Sequence, residues 1–410
     1  MGRAMGAISS AERSPMRVRF LVMAFLSLCS YATQCSFAQE ATESLSKPQA
    51  EVLDDETWKR LDDSVERALS WLATQQKDDG SFESIDMSQP AVTALGLMAF
   101  LAQGESPVDG KYQKQLSKAI DFIALQQKAN GLISHDAPNA VPIPRQLPAD
   151  SHTELCVTAV YNHAISSLAL AEAYGQCSPE QAKALAPVIQ KAIAATIEMQ
   201  QWDGKKPRDK GGWRYLTKRF SNGDSDLSIT GWHVMFLRSA RNAGFEVPKD
   251  TIDQAVAYVE RCFLTHEDRR VHGYMVRQRQ QCTRAMAGAG VLAMAHAGKH
   301  ESKQAIGSGE WILKHSFEKY NDDKPVYGST WLNDRYHYGA FQCSQAMYQL
   351  GGKYWNQFFP PLVETLLANQ QADGSWLPEK SEKQYGNCYT TSLCVLSLSV
   401  PNQMLPIFQR

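Results

Sequence analysis

The side chains of this 410-residue chain that could do chemistry are a few histidines, cysteines and acids set among many aromatic rings. His163 and His233 each stand near the start of an apolar run, where an imidazole can act as a base or a ligand. An ordinary hydrogen-bonded core histidine fits the same position. Trp213, Tyr215, Trp232, Trp331, Tyr336, Tyr338 and Tyr389 offer faces that could stabilise a cation or stack on sugar rings. Core packing would also use several of them. Asp226 or Ser228, just ahead of a helix expected from Ile229, suits an N-cap, whose side-chain oxygen satisfies free backbone amides. Gly288-Ala-Gly290-Val-Leu-Ala293 approaches a dinucleotide fingerprint. The stretch Arg277–Arg284 before it is no buried strand, so small residues letting two helices approach explain it better.

The 42 basic and 43 acidic residues leave a formal charge of −1, which gives phosphates no basic surface to seek. No nucleic-acid partner is therefore expected. Hydrophobic residues at 43% exclude global disorder, and nine cysteines are too sparse for a disulfide-built scaffold. Arg17 and Arg19 precede the apolar run Phe20–Leu28, and Ser36-Phe37-Ala38 supplies the small residues that a signal peptidase reads. Residues 1–38 thus have the layout of a cleavable signal peptide, and secretion or export to a periplasm is the expectation. The apolar run is too short to span a bilayer, so no transmembrane helix is expected in the mature chain. Seven cysteines remain after cleavage: 156, 177, 262, 282, 343, 388 and 394. Cys262 and Cys282 flank an expected loop and are the best-placed pair for a bridge, while Cys388 and Cys394 suit a core. An odd number leaves pairing and oligomeric state open.

These groups must be positioned by helices. Residues 39–54 are a polar leader without periodicity. In the segment after it, Trp58, Leu61, Val65, Leu69 and Leu72 recur at helical spacing with charges between them. Gln75-Gln76-Lys-Asp-Asp-Gly80-Ser-Phe82 closes that helix, and its glycine suits the left-handed turn of a C-cap. The signature returns as Gln126-Gln127-Lys-Ala-Asn-Gly131-Leu and Gln370-Gln371-Ala-Asp-Gly374-Ser-Trp376. A fourth copy, Gln200-Gln201-Trp-Asp-Gly204, is interrupted before Gly211-Gly212-Trp213. Between the copies lie runs apolar nearly all round: Ala91 to Gly104, Ala164 to Gly175, Ile229 to Gly244, Met286 to Gly298, Phe341 to Gly351 and Tyr389 to Val400. A helix apolar on all sides is buried on all sides. Weaker outer helices fit at about 250–263 and 308–320, and no convincing strand pattern is present. Six polar-faced helices alternating with six buried ones predict an all-α fold, an (α/α)6 toroid over residues 55–410 with the buried helices as its inner ring. Function is then expected where loops enter the inner helices.

The Gln-Gln-x-x-Asp-Gly-Ser-aromatic units resemble the repeats of squalene and hopene cyclases, within the prenyltransferase and squalene cyclase toroid family. In those cyclases a Gly-Gly-Trp-x-aromatic stretch leads to Asp-x-Asp-Asp-Thr, whose middle aspartate protonates an isoprenoid double bond or epoxide. Here Gly211-Gly212-Trp213-Arg214-Tyr215 leads to Asp224-Ser225-Asp226-Leu227-Ser228. The resemblance implies Asp226 as the acid and Asp224 as its supporting carboxylate, with Leu227 in place of the last aspartate and Ser228 in place of the threonine. Related prenyltransferases bind zinc through Asp-x-Cys and a distant histidine. Cys388 and His337 could converge, but Gly386 stands where that aspartate is needed, so no metal or other cofactor is expected. Related thioester domains need Gly-Cys-x-Glu-Gln, which is absent.

Three functional readings follow. The first is a cyclase-like enzyme or binder of an isoprenoid or other apolar ligand, with the seven aromatics and His233 as its wall. The second is a non-catalytic binding toroid for a ligand or a protein. The third is a secreted polysaccharide-active enzyme. A dry apolar cavity favours the first, a filled centre the second, and an open polar groove with arginines and carboxylates the third.

Overall fold

The protein is described by a computed structural model covering residues 52–135, 158–215, 224–266, 269–322 and 333–409. The expected signal peptide, most of the leader, Cys156 and Trp331 lie outside the described residues. Six outer helices carry one apolar face each: α1 (Asp55–Thr74), α3 (Gln113–Leu125), α5 (Pro179–Gln200), α7 (Lys249–Arg261), α9 (Lys303–Leu313) and α11 (Gly352–Ala368). They alternate with α2 (Ala91–Leu101), α4 (Ala159–Tyr174), α6 (Leu227–Asn242), α8 (Arg284–His296), α10 (Tyr336–Leu350) and α12 (Gly386–Ser399).

The sequence pattern accounts for both sets. Helix α1 is capped by Asp54, which accepts the Thr57 amide at 2.7 Å, and it buries Leu61, Val65, Leu69 and Leu72 along one stripe. Every residue of α2 is buried, as its uniform apolarity requires. The inner helices touch in the order α2, α4, α6, α8, α10 and α12, and α12 returns to α2. The ring is closed, and the fold is an all-α (α/α)6 toroid.

The repeated glutamines and glycines form the joints between outer helices. Gln76 Nε2 donates to its own Gly80 carbonyl at 3.0 Å and to Gln115 of α3 at 2.8 Å. Gln127 does the same to Gly131 (3.3 Å) and to Val188 of α5 (2.7 Å). Gln370 closes the circle onto Ser64 of α1 at 2.8 Å. In the interrupted copy Gln200 reaches Gly211 (2.9 Å) and Thr251 of α7 (2.8 Å), so Gly211 rather than Gly204 is the turn glycine. Gly80, Gly131, Gly211 and Gly374 share φ near +90°, and a Cβ on any of them would strike a neighbouring outer-helix carbonyl. At three joints the next residue but one, or the next aromatic, has its amide held by an inner-helix threonine. Phe82 N sits 3.0 Å from Thr93 Oγ1, Trp213 N 3.1 Å from Thr230 Oγ1, and Trp376 N 3.0 Å from Thr391 Oγ1.

Three expectations are corrected. The α7–α8 connection holds two antiparallel strands, β1 (Phe263–His266) and β2 (Arg269–His272), where no strand was expected. That joint lacks the glutamine signature, and the His272 amide and ring instead meet Ser308 Oγ of α9 at 3.1 and 2.8 Å. Helix α9 begins at Lys303 rather than 308, because Ser302 caps it and Gly307 lets it pack against the Arg270 carbonyl. Cys262 and Cys282 are buried free thiols and form no bridge; Cys282 Sγ donates to the Arg279 carbonyl at 3.2 Å instead. Gly288 lets α8 pack closely on the α10 backbone at Gln342 and Cys343, and Gly290 makes room for the His272 ring of β2. No described helix is long and apolar enough to cross a membrane.

Candidate functional site

The N-terminal ends of the inner helices surround a cavity of about 250 Å³. Four of the inner helices give its wall aliphatic side chains: Val92 and Leu95 of α2, Ile165 of α4, Met286 of α8 and Leu393 of α12. The rest of the wall is aromatic and polar, with Tyr161, Tyr215, Trp232, Tyr274, Tyr338, Tyr385 and Tyr389 lining it together with Arg335 and Glu382. Ser228 links two of the rings, accepting from Tyr161 Oη at 2.8 Å and lying 3.1 Å from Tyr338 Oη. The Trp232 ring lies nearly parallel to those of Tyr338 and Phe341. Burial pushes the phenols of Tyr161, Tyr338 and Tyr389 above the ordinary tyrosine range, so these hydroxyls stay neutral donors at physiological pH.

The charged part of the wall is an ion pair between Arg335, at the entry to α10, and the buried Glu382. Behind it stands a second pair joining the same two segments. His337 Nδ1 bonds the Glu379 carboxylate, and Nε2 lies 3.2 Å from Tyr320 Oη, which donates to the Leu377 carbonyl at 2.8 Å. Burial raises the Glu379 carboxyl, but the His337 hydrogen bond and charge prevail and hold it below the usual range. The two pairs clamp residues 335–337 to 379–382 and so fix the guanidinium in the wall.

Of the expected site residues, Tyr215, Trp232, Tyr338 and Tyr389 line the cavity. Trp213, His233 and Tyr336 do not, which corrects their assignment to the wall. Trp213 is the joint aromatic; its Nε1 donates to Thr196 O at 2.9 Å and its ring stacks on His233 at 4.6 Å. His233 and His163 share Thr196 Oγ1, and burial lowers both imidazoles, His163 to about 3. Tyr336 Oη donates to Phe317 O at 2.7 Å.

Asp226 is wholly buried and is not part of the cavity wall. Its Oδ1 caps α6 by accepting Ile229 N at 2.9 Å, and its Oδ2 is paired with Arg214, which also donates to Tyr274 Oη at 2.6 Å. Burial raises the Asp226 carboxyl, while Arg214 and the amides of Ile229 and Ser228 pull it the other way. Asp224 Oδ2 is 2.8 Å from Arg277, so its salt-bridge partner is an arginine and not Asp226. His337 and Cys388 do not converge on a metal, since both His337 nitrogens are engaged elsewhere. Among the described residues no three His, Cys, Asp or Glu side chains form a metal-holding group.

Sequence reasoning missed Tyr161, Tyr274, Tyr385, Arg335 and Glu382. Tyr385 stands one turn ahead of Tyr389, and that spacing could have marked it. Tyr161 fell outside because α4 begins at Ala159, ahead of the expected start at Ala164.

No family model matches the chain, and no curated protein matches it. Solved structures do. The apo type II terpene cyclase MstE from Scytonema aligns with a TM-score of 0.54 and 12% identity over 85% of this chain and 100% of that one. An inactive variant of an α-1,6-mannanase of Salegentibacter, in complex with α-1,6-mannotriose, aligns with a TM-score of 0.54 and 11% identity over 84% and 99%. A glycosidase in complex with glucose aligns with a TM-score of 0.51 and 10% identity over 86% and 100%. At these identities the likeness shows the toroid fold alone.

Proposed function

We propose that the toroid binds a compact amphiphile, with an apolar body against the aliphatic residues of the cavity and a polar or anionic head at Arg335. The observation that carries this reading is the mixed wall: Val92, Leu95, Ile165, Met286 and Leu393 line the same cavity as an Arg335–Glu382 pair set among tyrosines. Size limits the ligand. At about 250 Å³ the cavity lies just below the range of about 300–1,000 Å³ common for small-molecule sites. A short prenyl chain with an acidic or phosphorylated head suits that volume better than a triterpene. The likeness to a terpene cyclase that was solved with geranylgeranyl dihydroxybenzoate supports an isoprenoid body. The reading is one of binding, because the acid implied by the cyclase resemblance, Asp226, has both oxygens occupied outside the wall.

A second reading is favoured by one observation, the tyrosine rings beside an arginine–carboxylate pair, an arrangement that also suits a saccharide ring. The likeness to the mannanase and the glucose-bound glycosidase is consistent with it.

Calorimetry on the full-length mature chain separates the two. Geranyl-sized acids and phosphates should bind, the corresponding alcohols should bind at least tenfold more weakly, and Arg335→Lys should narrow that difference. Binding of mono- or oligosaccharides with no response to any prenyl compound would replace the first reading by the second. A cyclic product from squalene or oxidosqualene, seen by gas chromatography and mass spectrometry, would refute the size argument.

A further inference from the structure

The inner helices run from the cavity to an opposite end, and the chain's last residues lie across that end. The turn Pro406–Phe408 packs against α6, and Ile407 and Phe408 are 2% and 1% exposed. Side chains from the inner helices hold the backbone of this segment. Glu172 Oε2 of α4 accepts the Ile407 amide at 3.2 Å. Gln349 Nε2 of α10 donates to Phe408 O at 3.4 Å and to Gln409 O at 3.2 Å. Just past α2, Gln103 donates to Ser399 Oγ of α12 and accepts from Asn402 Nδ2 at 3.1 Å. Five of the six inner helices thus meet at the terminal segment.

The stripe leading from the cavity to this floor is polar on α10 and ends in a carboxyl on α4. On α4, Ile165 lines the cavity and Glu172 follows two turns below on the same face. On α10, Tyr338 lines the cavity, and Gln342, Gln345 and Gln349 continue its stripe at i+4, i+7 and i+11. Glu172 Oε1, both amide atoms of Gln342 and Gln345 Oε1 are buried without a hydrogen-bond partner among the described residues. Orphaned groups of this kind are costly when dry and gain when water reaches them.

We propose that residues 400–409 form a plug in the floor of the ring, latched by the Glu172 carboxyl, and that loss of the Glu172 proton loosens the plug and opens the polar lumen to water. Glu172 is 2% exposed, and no charged group faces it among the described residues. From α6 it meets the Ser239 hydroxyl and from the terminal segment the Ile407 amide, while Arg238 of α6 acts on His296 of α8. Burial outweighs the two hydrogen bonds and pushes the carboxyl up to about 7. Below that pH the docked plug holds a neutral acid. Above it, docking must keep an uncompensated charge dry, whereas an opened floor lets water solvate that charge and the orphaned amides together.

Hydrogen exchange of the full-length mature chain, read by mass spectrometry and corrected for intrinsic rates, tests this. Peptides spanning residues 400–409 should lose protection about tenfold per pH unit as pH rises from about 4.5 to about 7 and level off above it, while peptides from α1 and α11 keep theirs. Glu172→Gln should hold the terminal protection constant across the same range. Terminal protection that is flat with pH in the wild type overturns the proposal, as does an equal loss in every peptide. A Glu172→Gln protein that keeps the wild-type pH profile also overturns it. If that variant does not fold, the wild-type series decides alone.

Discussion

The two ends of the inner ring treat buried carboxylates in opposite ways. At the mouth each of four has a basic partner: Asp226 has Arg214, Asp334 has Arg284, Glu382 has Arg335, and Glu379 is hydrogen-bonded to His337. At the floor Glu172 has an amide and a hydroxyl only. A paired carboxylate keeps a partner for its charge, and removing either partner strands the other, although burial still raises Asp334 to about 6 and Asp226 above its ordinary value. An unpaired one surrenders its charge and titrates near neutrality. The mouth thus ties its acids to basic partners, whereas the floor leaves Glu172 without a counter-charge.

The sharpest way to break this contrast is at the mouth. Asp226→Asn preserves the cap, since asparagine caps about as well, but it leaves the nearly buried Arg214 without its counter-charge. Urea denaturation should show a loss of about 3–5 kcal/mol. A loss below 1 kcal/mol would mean the pair does not govern this end. The same change would lower any activity through stability, so activity alone cannot identify Asp226 as an acid.

The floor responds in the opposite direction. The folded pKa of Glu172 lies above its unfolded value of 4.5, so the folded state binds the extra proton and stability falls as pH rises from about 4.5 to about 7. Glu172→Gln should remove that slope and stabilise the protein by about 2–4 kcal/mol at pH 8. Parallel wild-type and variant stability curves between pH 5 and pH 8 would contradict it. At Glu379 the sign reverses: its folded pKa is lowered, so its contribution is present above about 4.5 and lost as pH falls through the lowered value.

Two smaller effects sharpen the comparison. Gln370→Ala removes the hydrogen bonds that close the outer ring on Ser64 and Gly374, and should cost about 1–3 kcal/mol in thermal or urea unfolding. Gln103→Ala loosens the floor at its edge and should cost about 0.5–1.5 kcal/mol, with its main effect on exchange in residues 399–403. A larger global effect from Gln103→Ala than from Gln370→Ala would place the weight of the fold at the floor.

The fold was legible because its signals are local. The stripe Leu61-Val65-Leu69-Leu72, the uniformly apolar Ala91–Leu101 and the recurring Gln-x-x-x-Gly each depend on residues within a few turns of one another. The site was legible only in part. Tyr389, Tyr338 and Trp232 sit at helix entrances and were found there. Arg335 and Glu382 come from separate loops, and nothing in either loop announces the other. Trp213 and His233 carry the same residue types as wall residues, yet they turn toward each other beneath the joint.

The amino-acid sequence by itself determined the helices, their alternation and the closing of the ring, because hydrophobic period and turn chemistry act over short stretches of chain. Which acids are paired, which rings face the cavity and which carboxyl is left alone were decided only by tertiary structure. Those properties depend on groups brought together from distant segments, and on the loss of water that gives each charge its cost.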